Sequence, residues 1–128
     1  MTFSYWSVLV GALMPILWTS IAKWGGSNKM PPSANRAPRQ FLSGLGGHQQ
    51  RADWAQRNAF EAFPAFAAAV IIAQSAGAHQ ISIDRLAAVW VAARILHGLF
   101  YLLDWSHARS LVYFIGIGCV IGLFVAAA

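Results

Sequence analysis

Four long stretches of this chain carry almost no formal charge, and that property decides most of what the chain can become. Met1 to Ala22 and Ser110 to Ala128 hold no charged side chain; Asn58 to Ala78 holds only Glu61; Leu86 to Leu103 holds only Arg94, with His97 nearby. Each run is close to the ~20 residues that an α-helix needs to cross a bilayer core. Backbone polar groups in lipid must bond within their own segment, so the runs are expected to be helices rather than open strands. The fold class that follows is all-α, an integral membrane four-helix bundle in a single domain over 1–128. Helices are expected over about 3–22, 49–77, 83–104 and 108–127, with a loop over about 23–48.

Composition supports the same class. Only 10% of the 128 residues are charged and 58% are hydrophobic, too few polar groups to coat a soluble domain of this size. The first run reads as a retained helix and not a secretory signal, because no basic residue precedes it and Pro15 and Trp18 interrupt it. Cys119, the sole cysteine, lies inside the fourth run and can form no internal disulfide. It reads as a small packing residue, since a thiol in apolar surroundings is poorly ionised.

The net charge of +5 is local: Lys23, Lys29, Arg36, Arg39 and Arg51 crowd the first connection, and no acid occurs before Asp53. Basic residues flanking membrane spans follow the positive-inside rule, which places this loop in the cytoplasm and both termini in the periplasm, or in the lumen of a eukaryote. Nucleic-acid binding is not needed to explain them. The same loop is rich in Gly, Pro and Ser, and its length points to function or mobility. Ser82 or Asp84 is expected to cap the third helix. The short turn "DWSHARS" makes the third and fourth helices antiparallel neighbours. Gly118 and Gly122, with Gly116 beside them, form a G-x-x-x-G pattern that lets helices approach closely. No strand precedes "GIGCVIG", which rules out a dinucleotide-binding turn.

The polar residues inside the apolar runs carry the functional signal. Ionisable groups at membrane depth are rare and face the bundle interior or a wet cavity. In "RNAFEAFPAF", Arg57, Asn58 and Glu61 fall on or near one face of the second helix. Arg94, His97 and Tyr101, at spacings of three and four, form one stripe of the third. Arg109 opens the fourth. An up-and-down topology brings all of them into the half of the bundle next to the basic loop. A plain interhelical ion-pair network that fixes register is one explanation, with Glu61 and Arg94 as the pair. For the whole set, Arg57, Arg94 and Arg109 outnumber Glu61, and the surplus implies an anionic guest, a small molecule bearing carboxylates that arginine forks would suit. Pro64 either bends the helix to widen a pocket there or is simply a tolerated membrane proline. No metal site is expected, because His48, His79, His97 and His107 lie on different segments.

"QRNAFEAFPAF" is similar to the second-helix signature of the MAPEG family, the membrane-associated proteins in eicosanoid and glutathione metabolism. "ARILHGLFYLL" followed by "HARS" resembles that family's third helix and the start of its fourth, and the likeness extends over essentially the whole chain. The compact bacterial members are the most similar in kind. The resemblance implies a homotrimer in the lipid bilayer, with glutathione as co-substrate bound between neighbouring subunits and a lipophilic small molecule as the second substrate. It implies that Arg57, Asn58 and Glu61 hold the tripeptide, that Arg94, His97 and Tyr101 line the same site, and that Arg109, with Ser110, stabilises the thiolate. Tyr101 or His97 would assist proton movement or position the substrate. Trp54 departs from the pattern, standing where some members carry a further arginine. The implied activity is glutathione transfer to lipophilic electrophiles or reduction of lipid hydroperoxides. Two alternatives compete with it: a non-catalytic accessory protein of the same fold, and a proton-driven exporter, which the absence of any acid in the first helix disfavours.

Overall fold

The computed structural model describes residues 1–128 and contains no strand. Four long helices dominate: α1 (Phe3–Trp24), α3 (Gly47–Ser75), α4 (Gln80–Leu102) and α5 (Ser106–Ala127). Between the first two, the connection is not structureless. It holds a 3-10 turn at Pro32–Arg36 and a short helix, α2 (Pro38–Ser43). A six-residue helix is too short to persist alone. Its Leu42, with Leu45 just beyond, is buried against Ala22 of α1 and Ala52 of α3, which pins it in place.

Helix α1 begins at Thr2, whose Oγ1 accepts the Tyr5 N–H at 3.4 Å, and closes at Gly25, whose N–H bonds the Ile21 carbonyl. Inside it, the hydroxyls of Ser7, Thr19 and Ser20 donate to carbonyls one turn back at 3.0, 2.9 and 2.9 Å. Such local bonding lets a polar side chain sit on an apolar helix without an orphaned donor. Pro15 is buried in α1 and Pro64 is exposed on α3, and both helices continue through them. Neither Ser82 nor Asp84 caps α4. That helix starts earlier, after His79, with no side-chain cap. Asp84 instead reaches across to α1, where its Oδ1 accepts the Ser4 N–H at 3.0 Å while also accepting from Gln80 Nε2 at 2.8 Å. The glycine and aspartate turns have clear conformational reasons: Gly47 and Gly77 sit at φ +57° and +74°, and Asp104 adopts φ 59° between α4 and α5.

Hydrogen bonds identify the two ends of the molecule. At one end Gln49 Nε2 donates to the carbonyls of Ala22 and Asn28, both at 2.9 Å, and Arg51 Nη2 donates to the Leu102 carbonyl at 3.1 Å. The end of α1, the start of α3 and the end of α4 therefore meet there. At the other end Gln74 Nε2 donates to Ser4 Oγ (2.8 Å) and Thr2 Oγ1 (3.0 Å), joining α3 to the start of α1. The long helices thus alternate in direction.

The main core gathers Phe66, Val70, Ile83, Ala87, Trp90, Cys119 and Leu123. Phe66 and Trp90 stack with ring centroids 3.7 Å apart and planes 3° from parallel. Cys119 is 5% exposed among these groups. The tightest glycine contacts are not those of the G-x-x-x-G pattern. Gly118 is exposed and has no neighbour near its Cβ position, whereas Gly122 packs against Leu86. Close approach occurs instead at Gly98, where a Cβ would run into the Trp18 indole, and at Gly11, where it would sit 3.0 Å from Trp90 Cζ3.

Three helices, α1, α4 and α5, are long and apolar enough to cross a membrane. The expectation of four such spans is not met by α3. Its first half carries His48, Gln49, Gln50, Arg51, Asp53, Gln56, Arg57, Asn58 and Glu61, so only Ala62 to Ala73 is continuously apolar.

Candidate functional site

A cavity of about 250 Å³ opens between α3, α4 and α5. Helix α3 contributes Asn58, Glu61, Ala62 and Ala65; α4 contributes Trp90 and Arg94; α5 contributes Tyr113, Gly116, Ile117, Val120 and Ile121. The spacing within each helix explains the assembly, since residues three or four apart share a face. Trp90 is held by its stack on Phe66, so the apolar floor is rigid. Glu61, Ala65, Ile117 and Ile121 are exposed, which places the mouth on the outer surface between α3 and α5.

Arg94 is the decisive group. It is 3% exposed, and its Nη2 donates to Asn58 Oδ1 at 2.6 Å. Its Nε is buried without a partner. Glu61 lines the same cavity but makes no ion pair with it; the sole salt bridge in the molecule is elsewhere. The Glu61–Arg94 pair of a plain ion-pair network is therefore not formed. A buried guanidinium held by one neutral amide retains unused donors, and burying them is costly unless something accepts.

The remaining stripe of α4 stands beside the cavity. His97 is 3% exposed and meets the Tyr101 ring edge-on at 5.2 Å and the Tyr113 ring at 6.0 Å. The Arg109 guanidinium lies 4.2 Å from the centroid of the Tyr101 ring, a cation–π arrangement. Tyr113 is shared: it faces both the cavity and His97, and it links the Arg94 side to the Tyr101–Arg109 side. Ser110 is exposed on the first turns of α5.

Arg57 occupies a different place. Its Nη2 and Nε reach Asp53 Oδ2 at 3.0 and 3.1 Å, and it lines a second cleft with Arg39, Leu42, Asp53, Gln56 and Phe60. The surplus of positive charge inferred from sequence is reduced by Asp53, an acid one helical turn before Arg57. Trp54 is 44% exposed on the same helix. The sequence reading missed Tyr113, hidden among apolar residues of α5. The signal for it was the spacing of Arg109, Tyr113 and Gly116, which lie on one face. No three metal-ligating side chains cluster anywhere.

Asn58, Glu61 and Arg94 line one cavity, with His97, Tyr101 and Arg109 beside it, and the MAPEG family model matches residues 3–128. The chain belongs to the MAPEG family. This is a family of helical membrane proteins that includes glutathione transferases and peroxidases as well as non-catalytic members. Comparison with curated proteins and with solved structures returned no match. The two sequence motifs are both present, and the single chain brings Asn58, Glu61 and Arg94 together.

Proposed function

We propose that this MAPEG protein is a membrane-bound, glutathione-dependent transferase or peroxidase acting on lipophilic electrophiles or lipid hydroperoxides. The observation that carries the reading is Arg94, a buried guanidinium with an unpartnered Nε, facing an open cavity that also holds Asn58 and an unpaired Glu61. That donor and acceptor set suits a peptide with free carboxylates and an ammonium group. Helix α3 serves as the fourth span in this reading. Its 29 residues extend about 43 Å, enough for its polar first turns to stand outside the hydrocarbon while the rest crosses. The basic loop then lies in the cytoplasm and both termini in the periplasm, the inner membrane of a bacterium being the expected location.

The chemistry of this reading has a simple physical basis. A thiol becomes a strong nucleophile when ionised, and a guanidinium beside it stabilises the thiolate. Arg109 is the group assigned to this task, oriented by the Tyr101 ring, with Ser110 at its side. Tyr101 or His97 takes part in proton movement or positions the second substrate. In conjugation, the thiolate sulfur bonds the electrophilic carbon, and the leaving group departs with its electron pair. In peroxide reduction, two glutathione thiols are oxidised to one disulfide while the hydroperoxide becomes an alcohol and water. The apolar part of the cavity, from Ile117 to Ile121, admits a lipophilic substrate from the bilayer side, while the thiol enters from water. Holding both at one boundary removes much of the entropic barrier. A homotrimer would close the cavity mouth against a neighbouring copy.

The test is conjugation of glutathione to an aryl halide by the purified protein, with calorimetry of glutathione binding. Arg94→Met is expected to abolish binding. Arg109→Ala is expected to lower turnover by roughly 10²-fold with binding largely kept, the scale for losing one charge-stabilising donor. Turnover that survives both Arg109→Ala and Tyr101→Phe would sink the assignment. A second reading, a non-catalytic member of the family, draws on Trp54 in place of an arginine and on the commitment of Arg57 to Asp53. Absence of any heat of binding for glutathione would favour it.

A further inference from the structure

The second cleft lies at the end of the molecule where α1 ends and α3 begins, and the proposed reaction does not use it. Its volume is about 380 Å³, and Arg39 from α2 faces Asp53, Gln56, Arg57 and Phe60 from α3 over Leu42. Three tryptophans mark the level. Trp24 at the end of α1, Trp54 beside Asp53, and Trp105 before α5 are 54%, 44% and 57% exposed. Exposed tryptophans gathered at one end of apolar helices mark the membrane–water boundary. Phe60, also 54% exposed, lies about one and a half turns further into α3 than Trp54, on the apolar side of that level. The cleft therefore lies at the headgroup level, with Phe60 on its inner edge.

Its charges are defined. Asp53 is nearly fully buried and holds Arg57 through Nε and Nη2, which fixes the guanidinium and leaves its Nη1 edge free. Arg39 is exposed and forms no salt bridge. Two guanidinium groups against one carboxylate leave the cleft with a single positive charge, the complement of one phosphodiester. Leu42 and Phe60 supply an apolar surface beside it.

We propose that the cleft formed by Arg39, Asp53, Arg57 and Phe60 is a binding site for an anionic glycerophospholipid. The phosphodiester sits against Arg39 and the free edge of Arg57, and the first part of an acyl chain lies along Phe60. Arginine forks match phosphate oxygens in two-point contacts, and basic pockets beside membrane helices retain anionic headgroups. A zwitterionic lipid is less suited, since its ammonium group would meet Arg39 with no free carboxylate to receive it. A lipid bridging Arg39 and Arg57 adds a second tie between α2 and α3, beside the packing of Leu42 and Leu45.

The experiment is native mass spectrometry of the full chain in detergent, titrated with phosphatidylglycerol or with phosphatidylcholine of identical acyl chains. Wild type is expected to hold phosphatidylglycerol in preference. Arg39→Gln is expected to weaken that binding about fivefold, the loss for one basic group at an anionic surface, and to leave phosphatidylcholine binding unchanged. Arg36→Gln, on the same loop but outside the cleft, is expected to change neither. Equal retention of the two lipids overturns the proposal. So does an equal loss in Arg36→Gln and Arg39→Gln, which would mark a diffuse basic surface. Displacement of the lipid by millimolar inorganic phosphate or glycerol phosphate assigns the cleft to a soluble anion and likewise overturns it. The lipid comparison and the competition use wild type alone, so a folding defect in Arg39→Gln cannot shelter the idea.

Discussion

At the scale of single residues, the bond between Asn58 and Arg94 carries the most consequence. At 2.6 Å it is the one hydrogen bond found for a guanidinium that is almost wholly enclosed. Replacing Asn58 with Leu removes the acceptor and is expected to destabilise the protein by about 2 kcal/mol, the scale for a hydrogen bond to a charged group. Asn58→Asp keeps an acceptor of similar shape and adds a charge, and it is expected to hold the wild-type unfolding midpoint or raise it. Thermal unfolding in detergent checks both, and equal midpoints for Asn58→Leu and wild type would mean the bond contributes nothing. The grouping of Asn58, Glu61 and Arg94 was legible in the sequence, because helical spacing and alternating direction suffice to place them together. The partner of each was not. Glu61 was the obvious counter-ion for Arg94, yet an amide took that place, and which of two neighbouring acceptors a fork selects depends on rotamers that spacing cannot resolve. The Asp53–Arg57 pair was readable and was passed over: an acid four residues before a base is the favourable order on a helix.

Among the elements, the first turns of α3 act as a clamp. Gln49 is 4% exposed and bonds Ala22 O and Asn28 O, and its Oε1 accepts the Asn28 N–H at 3.3 Å. A Cβ at Gly26 would strike its side chain, so a larger residue there would push Gln49 out of these bonds. Gln49→Leu is expected to orphan these backbone groups and release the connection between α1 and α3. Limited proteolysis should then cut within residues 25–46 faster than in wild type, with the long helices resisting in both; unchanged cutting would remove Gln49 from this role. The long helices themselves were legible to within three residues at each end, because glycine-containing stretches and short polar turns bracket the apolar runs. The short α2 was not, since its stability comes from Leu42 and Leu45 packing on distant segments and not from its own six residues. The start of α4 shifted for a related reason. Asp84, an ordinary capping residue by sequence, is occupied by the Ser4 N–H of another helix.

For the molecule as a whole, the outer surface is rich in large apolar side chains. Phe3, Trp6, Leu13, Ile16 and Leu17 line the outside of α1, and Leu111, Phe114, Ile121 and Val125 that of α5. Lipid can cover such a surface, and so can another copy of the chain. The proposed trimer makes a definite claim about mass: light scattering of the detergent complex is expected to give three copies of the 13.9 kDa polypeptide. A particle of one copy would leave the mouth between Glu61 and Ile121 unclosed and would count against a shared site. Burial of Cys119 beneath Phe66, Trp90 and Leu123 has a practical corollary. The polypeptide brings no accessible sulfhydryl of its own, so a reagent that counts sulfhydryls would see only those added with the tripeptide. Their disappearance over time could then be read without subtracting a protein blank.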